Sequence, residues 1–135
     1  MHQVEIEYKG DLRTEAVHLA SKNKIITDAP IDNNGKGLAF SPTDIFASSL
    51  GSCILTIMGI VANRRSISII NTRANITKVM QENPRKISEI KVDIYFPKEL
   101  KKADCKVLEK SAYSCPVHRS ISGKVNKIIK FHYHN

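Results

Sequence analysis

The stretch SPTDIFASSLGSCILTIMGIVA, residues 41–62, decides how the rest of the chain must be read. Ser41 is a natural N-cap, Pro42 suits the first helical position, and Asp44 stands three residues after the cap. Together they make a capping-box-like helix start. From Ile45 to Ala62 no residue is charged. A helix apolar on every side is expected to be buried on every side. The run approaches the length of a membrane span, but Ser48, Ser49, Ser52, Thr56, Gly51 and Gly59 interrupt it, and its start is polar and capped. Small residues of this kind let another helix approach closely. A chain of 135 residues can hardly surround such a helix alone. The expectation is a homodimer packed around it, with no membrane contact. At the centre of the helix stands Cys53.

The flanking segments read as strands and shorter helices. In HQVEIEYK, Val4, Ile6 and Tyr8 alternate with Gln3, Glu5 and Glu7, the pattern of a half-buried strand. Gly10-Asp11 turns the chain into LRTEAVHLA, a second strand, and KIITD at 24–28 makes a third. APIDNNGKGLAF, residues 29–40, is a loop long enough to suspect a function. After Arg64-Arg65, SISIINTRANITKV (66–79) and KISEIKVDIYF (86–96) alternate around a turn-like QENPR. LKKADCKVLEKSAYS (100–114) has helical apolar spacing, PVHRSIS makes a short second helix closed by Gly123, and VNKIIKFHYH (125–134) is a final strand. The plan is α+β: an N-terminal three-stranded sheet, a long buried central helix, two further strands, two shorter helices and a last strand. No repeat or linker divides it, so residues 1–135 read as a single domain.

Composition narrows the chemistry. Three cysteines, Cys53, Cys105 and Cys115, are an odd count at wide spacing. That is no extracellular disulfide framework, and no signal-like start precedes them, so a cytoplasmic setting is expected. The net charge of +8 is uneven: residues 1–62 carry five Lys/Arg against seven Asp/Glu, and residues 63–135 carry sixteen against six. The basic residues are scattered singly, without an arginine-rich run or an aromatic platform. They read as a solvated surface rather than a nucleic-acid site. His118, His132 and His134 lie near Cys115 in sequence, yet no spacing matches a ligand template, so no metal is expected.

The cysteines differ in setting. Cys115 immediately precedes Pro116 and so occupies the cap of the short helix, where unpaired N–H groups would stabilise a thiolate. His118 and Arg119 follow closely. A small residue placed at a turn reads equally well from the residues alone. Cys53, in an apolar helix, reads as packing unless a cation reaches it from elsewhere in the fold. Cys105, among Lys101, Lys102, Lys106 and Lys110, reads as an incidental thiol.

The long capped helix ending in L-G-S-C, followed some sixty residues later by C-P-V-H, resembles the OsmC/Ohr family. This family includes the osmotically inducible and organic hydroperoxide resistance proteins. The resemblance extends to the order of elements, the TDAP-then-glycine loop and the terminal strand. It implies an intertwined homodimer and a thiol-dependent peroxidase that needs no cofactor. Cys53 would attack a hydroperoxide and become a sulfenic acid. Cys115 would then condense with it to form a disulfide, which a dithiol reduces; in relatives that dithiol is a lipoyl group on a partner protein. The family also implies an arginine near the N-terminal strands, for which Arg13 is the candidate, paired with a carboxylate at the start of the long helix. Typical members have a glutamate ten residues before the helix cysteine. Here that position is Thr43, with Asp44 beside it. Leu38, Phe40, Thr43, Phe46 and Ile57 are the expected apolar surroundings of Cys53. The departure at Thr43 leaves a second reading, a small-molecule-binding or redox-sensing protein with little turnover. An anion or nucleic-acid binder using the basic half is a third.

Overall fold

Alternation in the first thirty residues becomes an antiparallel meander. The structure, a computed structural model, describes residues 1–133. Its strands and helices, in chain order, are β1 (Val4–Gly10), β2 (Arg13–His18), β3 (Lys24–Asp28), α1 (Pro42–Arg64), β4 (Arg73–Gln81), β5 (Lys86–Tyr95), α2 (Lys102–Ala112), α3 (Pro116–Ser120) and β6 (Asn126–His132). The fold is α+β. The chain gathers into two compact units, Met1–Phe46 and Ala47 onward.

In the first unit β2 pairs with both β1 and β3. Asp11 and Leu12 take φ of 52° and 62° at the first turn, the left-handed backbone that a tight hairpin needs. The register sets Ile6 opposite Ala16 and Ala16 opposite Ile25. One sheet face therefore carries Val4, Ile6, Tyr8, Ala16 and Ile25. The pattern predicts half-burial, but Ile6 and Tyr8 remain about two-thirds exposed, at 65% and 64%. Nothing within residues 1–46 covers that face.

The loop at 29–40 folds back on itself. Gly35 N–H donates to the Pro30 carbonyl, and Gly37 N–H to that of Ala29. A Cβ at Gly35 would lie 1.7 Å from the Ala29 carbonyl oxygen, so only glycine fits.

The second unit holds the core. β4, β5 and β6 form a sheet with β5 in the centre, antiparallel to β4 and parallel to β6. A parallel pair needs a crossover, and α2 and α3 supply it. Ile90, Val92 and Ile94 of β5 are fully buried with Leu50, Ile54 and Met58 of α1 and Leu108 and Ala112 of α2. The alternation of β5 is broken once. Ile87 and Ile90 are both buried although three residues apart, because the register shifts between Val79 and Met80. Such a bulge passes one extra residue; here Ser88 caps it by donating to the Val79 carbonyl at 3.1 Å.

The single chain does not bury the helix on every side, and the second copy expected to complete that burial is not part of it. Ala47, Leu50, Gly51, Ile54, Met58 and Ala62, at helical spacing, are buried, while Phe46, Ser52, Thr56 and Ile60 are exposed. One three-stranded sheet and α2 can cover only one face. α1 is apolar and long enough, at 23 residues, to cross a membrane by length and composition. Its glycine at 51 serves the sheet rather than a second helix, since a Cβ there would meet Ile76 Cδ1 at 2.4 Å.

The strand expected from residue 66 begins only at Arg73. Arg73 already pairs with Tyr95, the last residue of β5. Residues 66–72 therefore lack a strand to bond, and Ser66 and Asn71 turn with positive φ. Ile67 and Ile69 still pack on the core, which is the origin of the alternating pattern.

Candidate functional site

Cys53 lies half-buried in the middle of α1, with Ile57 one turn further on, and both pack against the core cluster. Cys115 is fully buried at the N-cap of α3. The local sequence explains its place. Pro116 needs no N–H partner at the first helical position, and the Cys115 sulfur accepts the His118 N–H at 3.3 Å. The position of the cap agrees with the sequence reading.

The structure brings the two thiols together. Both are free, and Cys53 lies close enough to the Cys115 thiol to influence its ionisation. Burial, more than this neighbour, reverses the expectation of a stabilised thiolate at Cys115. Burial pushes its pKa up, and the neighbouring Cys53 adds to that, outweighing the N–H groups of His118 and Val117. His118 offers no compensating charge. Burial, helped by Lys127, lowers its pKa, and its ring stands edge-on to Tyr113 at 5.7 Å.

In the first unit a separate arrangement surrounds Arg13. Its Nε and Nη2 donate to the two carboxylate oxygens of Asp28 at 2.7 and 2.9 Å, a two-pronged pair. Asp28 is 1% exposed and also accepts the Leu38 N–H at 3.0 Å. The Arg13 hydrogen bond holds its carboxyl below the usual carboxylate range against the opposing effect of burial; the Leu38 N–H helps. The Asp28 N–H donates to the Phe40 carbonyl. Leu38 and Phe40 are thus tied by their backbones to the ion pair, while their side chains are 73% and 57% exposed.

Asp28 escaped the sequence reading. It could have been found from register, because Arg13 and Asp28 are direct cross-strand partners in β2 and β3. Asp44 forms the reciprocal cap expected of it: its carboxylate accepts the Ser41 N–H, and its own N–H donates to Ser41 Oγ, both at 3.0 Å. Thr43 Oγ1 meets the same Ser41 hydroxyl at 3.1 Å. Phe46, two residues after Asp44, is exposed.

The remaining candidates have their own partners. Cys105 donates weakly to the Leu100 carbonyl at 3.7 Å. His132 Nε2 meets Asp93 Oδ1 at 2.8 Å and stacks on Tyr95. His134 and the end of the expected final strand lie outside the described residues. Among the described residues, no three His, Cys, Asp or Glu side chains gather in a way that could hold a metal ion.

Comparison with known proteins places the chain in a family. The family model for OsmC-like proteins matches residues 35–130. No curated protein sequence matches the chain. Among solved structures, a protein from Psychrobacter arcticus is 48% identical, with 98% of this chain and 96% of that one covered and a TM-score of 0.95. That protein is provisionally described as an osmotic stress induced and detoxification response protein. An OsmC-like protein from Mycoplasma pneumoniae superposes with a TM-score of 0.79 at 19% identity, over 100% of this chain and 98% of that one. The organic hydroperoxide resistance protein OhrB of Bacillus subtilis does so with a TM-score of 0.65 at 16% identity, over 96% of each chain. These last two show a common fold. The match over residues 35–130 and the 48% identity show more: the chain belongs to the OsmC-like protein family.

Proposed function

We propose that this protein is a thiol-dependent peroxidase that reduces organic hydroperoxides through Cys53 and Cys115. The observation that carries the reading is the pairing of these two free thiols, one half-buried on α1 and one fully buried at the cap of α3. A thiolate at Cys53 attacks the outer oxygen of the hydroperoxide, the O–O bond breaks, and the alkoxide leaves as an alcohol. Cys53 becomes a sulfenic acid. Cys115 attacks that sulfur, water leaves, and a disulfide forms. Its raised pKa keeps Cys115 a thiol until then, so the peroxide-attacking role falls to Cys53.

The cation's role is assigned to Arg13, a pre-oriented guanidinium whose carboxylate partner is Asp28. In this reading Asp28 takes over what a glutamate at position 43 does in typical members, and Asp44 remains a helix cap. Leu38, Phe40, Thr43, Phe46 and Ile57 are proposed to shape an apolar approach for bulky peroxides. The working form is proposed to be an intertwined homodimer in the cytoplasm. The exposed apolar face of β1–β3 and the exposed Phe46 and Ile60 of α1 support it.

A redox-sensing protein with slow turnover is the second reading, favoured by the commitment of Asp44 to Ser41. Steady-state reduction of cumene hydroperoxide with dithiothreitol separates the two. Many turnovers per protein are expected; a single stoichiometric oxidation, without turnover, would support the sensor.

A further inference from the structure

A cleft of about 520 Å³ opens where α2 gives way to α3, lined by Val107, Lys110, Ser111, Tyr113, Ser114 and Arg119. The turn that shapes it is fixed by its own backbone. Tyr113 closes α2 with its N–H on the Lys110 and Ser111 carbonyls, and the Ser114 N–H donates to the Ser111 carbonyl at 3.0 Å. Lys110 and Arg119, well apart in sequence, are thereby brought to one cleft. It has no part in the thiol chemistry proposed above, because the Cys115 side chain is fully buried and does not line it.

Charge and hydrogen bonding give the cleft a single sign. None of its lining residues is acidic. Glu109, next to Lys110 in the chain, instead accepts the Tyr133 hydroxyl. Among the described residues, neither Lys110 nor Arg119 is in an ion pair, and the Tyr113 hydroxyl makes no hydrogen bond. The end of a helix ordinarily presents bare carbonyls that repel an anion. Here the carbonyls of Leu108, Lys110 and Ser111 are taken up by the Ser111 hydroxyl, the Tyr113 N–H and the Ser114 hydroxyl. Both serine hydroxyls spend their protons this way. The donors left free are the Lys110 ammonium, the Arg119 guanidinium and the Tyr113 hydroxyl.

We propose that this cleft binds a small organic phosphate, a phosphate monoester held by Lys110, Arg119 and the Tyr113 hydroxyl. Two unpaired cations match the near-double negative charge that a phosphate monoester carries at pH 7. A guanidinium grips phosphate through two parallel hydrogen bonds, and an ammonium adds a point charge. A carboxylate, with one charge, would leave a cation unmatched. The volume calls for more than the phosphate group alone, since pockets for organic ligands span roughly 300–1,000 Å³. Val107 and the ring of Tyr113, which is 49% exposed, give the rest of such a ligand an apolar wall. Binding here does not depend on the peroxidase reading.

The test is calorimetric titration of the full-length protein, in phosphate-free buffer at low salt, with adenosine monophosphate, adenosine, inorganic phosphate and sulfate as probes. Adenosine monophosphate is expected to bind saturably and about tenfold more tightly than any of the other three, less so as salt rises. The K110Q/R119Q variant should weaken that binding by about tenfold or more, Tyr113→Phe by about threefold, and K110R should retain it. In the wild type, the probe should shift the amide NMR resonances of residues 107–119 above all others, which locates the site even if a variant folds poorly. Adenosine bound as tightly as its monophosphate would overturn the proposal, and so would binding that survives K110Q/R119Q. Sulfate or inorganic phosphate bound as tightly would overturn the assignment to a monoester. Resonance shifts centred elsewhere, or no saturable binding, would remove the cleft as a site.

Discussion

At the scale of single residues, the Cys115 thiol and the Asp28 carboxyl are each caught in an opposing pair of effects. At Cys115 the helix-cap N–H groups favour the thiolate, while burial and the Cys53 thiol favour the neutral form; the second influence is larger. Alkylation by iodoacetamide at pH 7 should therefore modify Cys53 well before Cys115, by at least tenfold in rate, as read by peptide mapping. At Asp28 burial opposes ionisation, but the Arg13 hydrogen bond outweighs it. A carboxyl with a depressed folded pKa gives stability that is fully present above its unfolded value, near pH 4, and lost as pH falls through the folded value. The Tm difference between wild type and Asp28→Asn should be constant at neutral pH and shrink below about pH 4. A difference independent of pH would mean that Asp28 acts through shape alone. The sequence made the two cysteines legible because each sits in a motif. It hid Asp28, whose partner is fifteen residues away and is set by the β2–β3 register rather than by local spacing.

At the scale of elements, local rules performed well where the chain contains its own partner and failed where it does not. The start of α1 was readable because Ser41, Pro42 and Asp44 complete a cap among themselves. Ser41→Ala should cost about 1 kcal/mol in chemical denaturation. The start of β4 was misread because alternation reports burial, and Ile67 and Ile69 are packed without being in a strand. Gly51 was legible as a close approach, but its neighbour was not. Gly51→Val should destabilise by about 1–3 kcal/mol, since the new side chain drives into Ile76. Phe46, exposed near the start of α1, tests the proposed approach path. Phe46→Ala should slow turnover of cumene hydroperoxide more than that of hydrogen peroxide, and equal losses would remove Phe46 from that path.

For the whole molecule, apolar surface is left uncovered on the N-terminal sheet and on one face of α1. Ile6, Tyr8, Ile25, Phe46 and Ile60 are each more than 40% exposed. A second copy is the proposed cover, so sedimentation at micromolar concentration should give a mass near twice 15.1 kDa. Replacing Ile6 and Tyr8 by charged residues should shift it toward the monomer. The α+β plan could be read without a partner because it follows from element order; the faces left bare could not, because alternation does not say which chain supplies the covering layer. Whether Cys53 and Cys115 act as one redox pair is read from intact mass and free-thiol count after one equivalent of cumene hydroperoxide. Rapid loss of two thiols, a loss of two mass units, and a peptide joining Cys53 to Cys115 are expected. A sulfenic acid should also persist in Cys115→Ser and never appear in Cys53→Ser. Two thiols left free after stoichiometric peroxide would contradict that pairing.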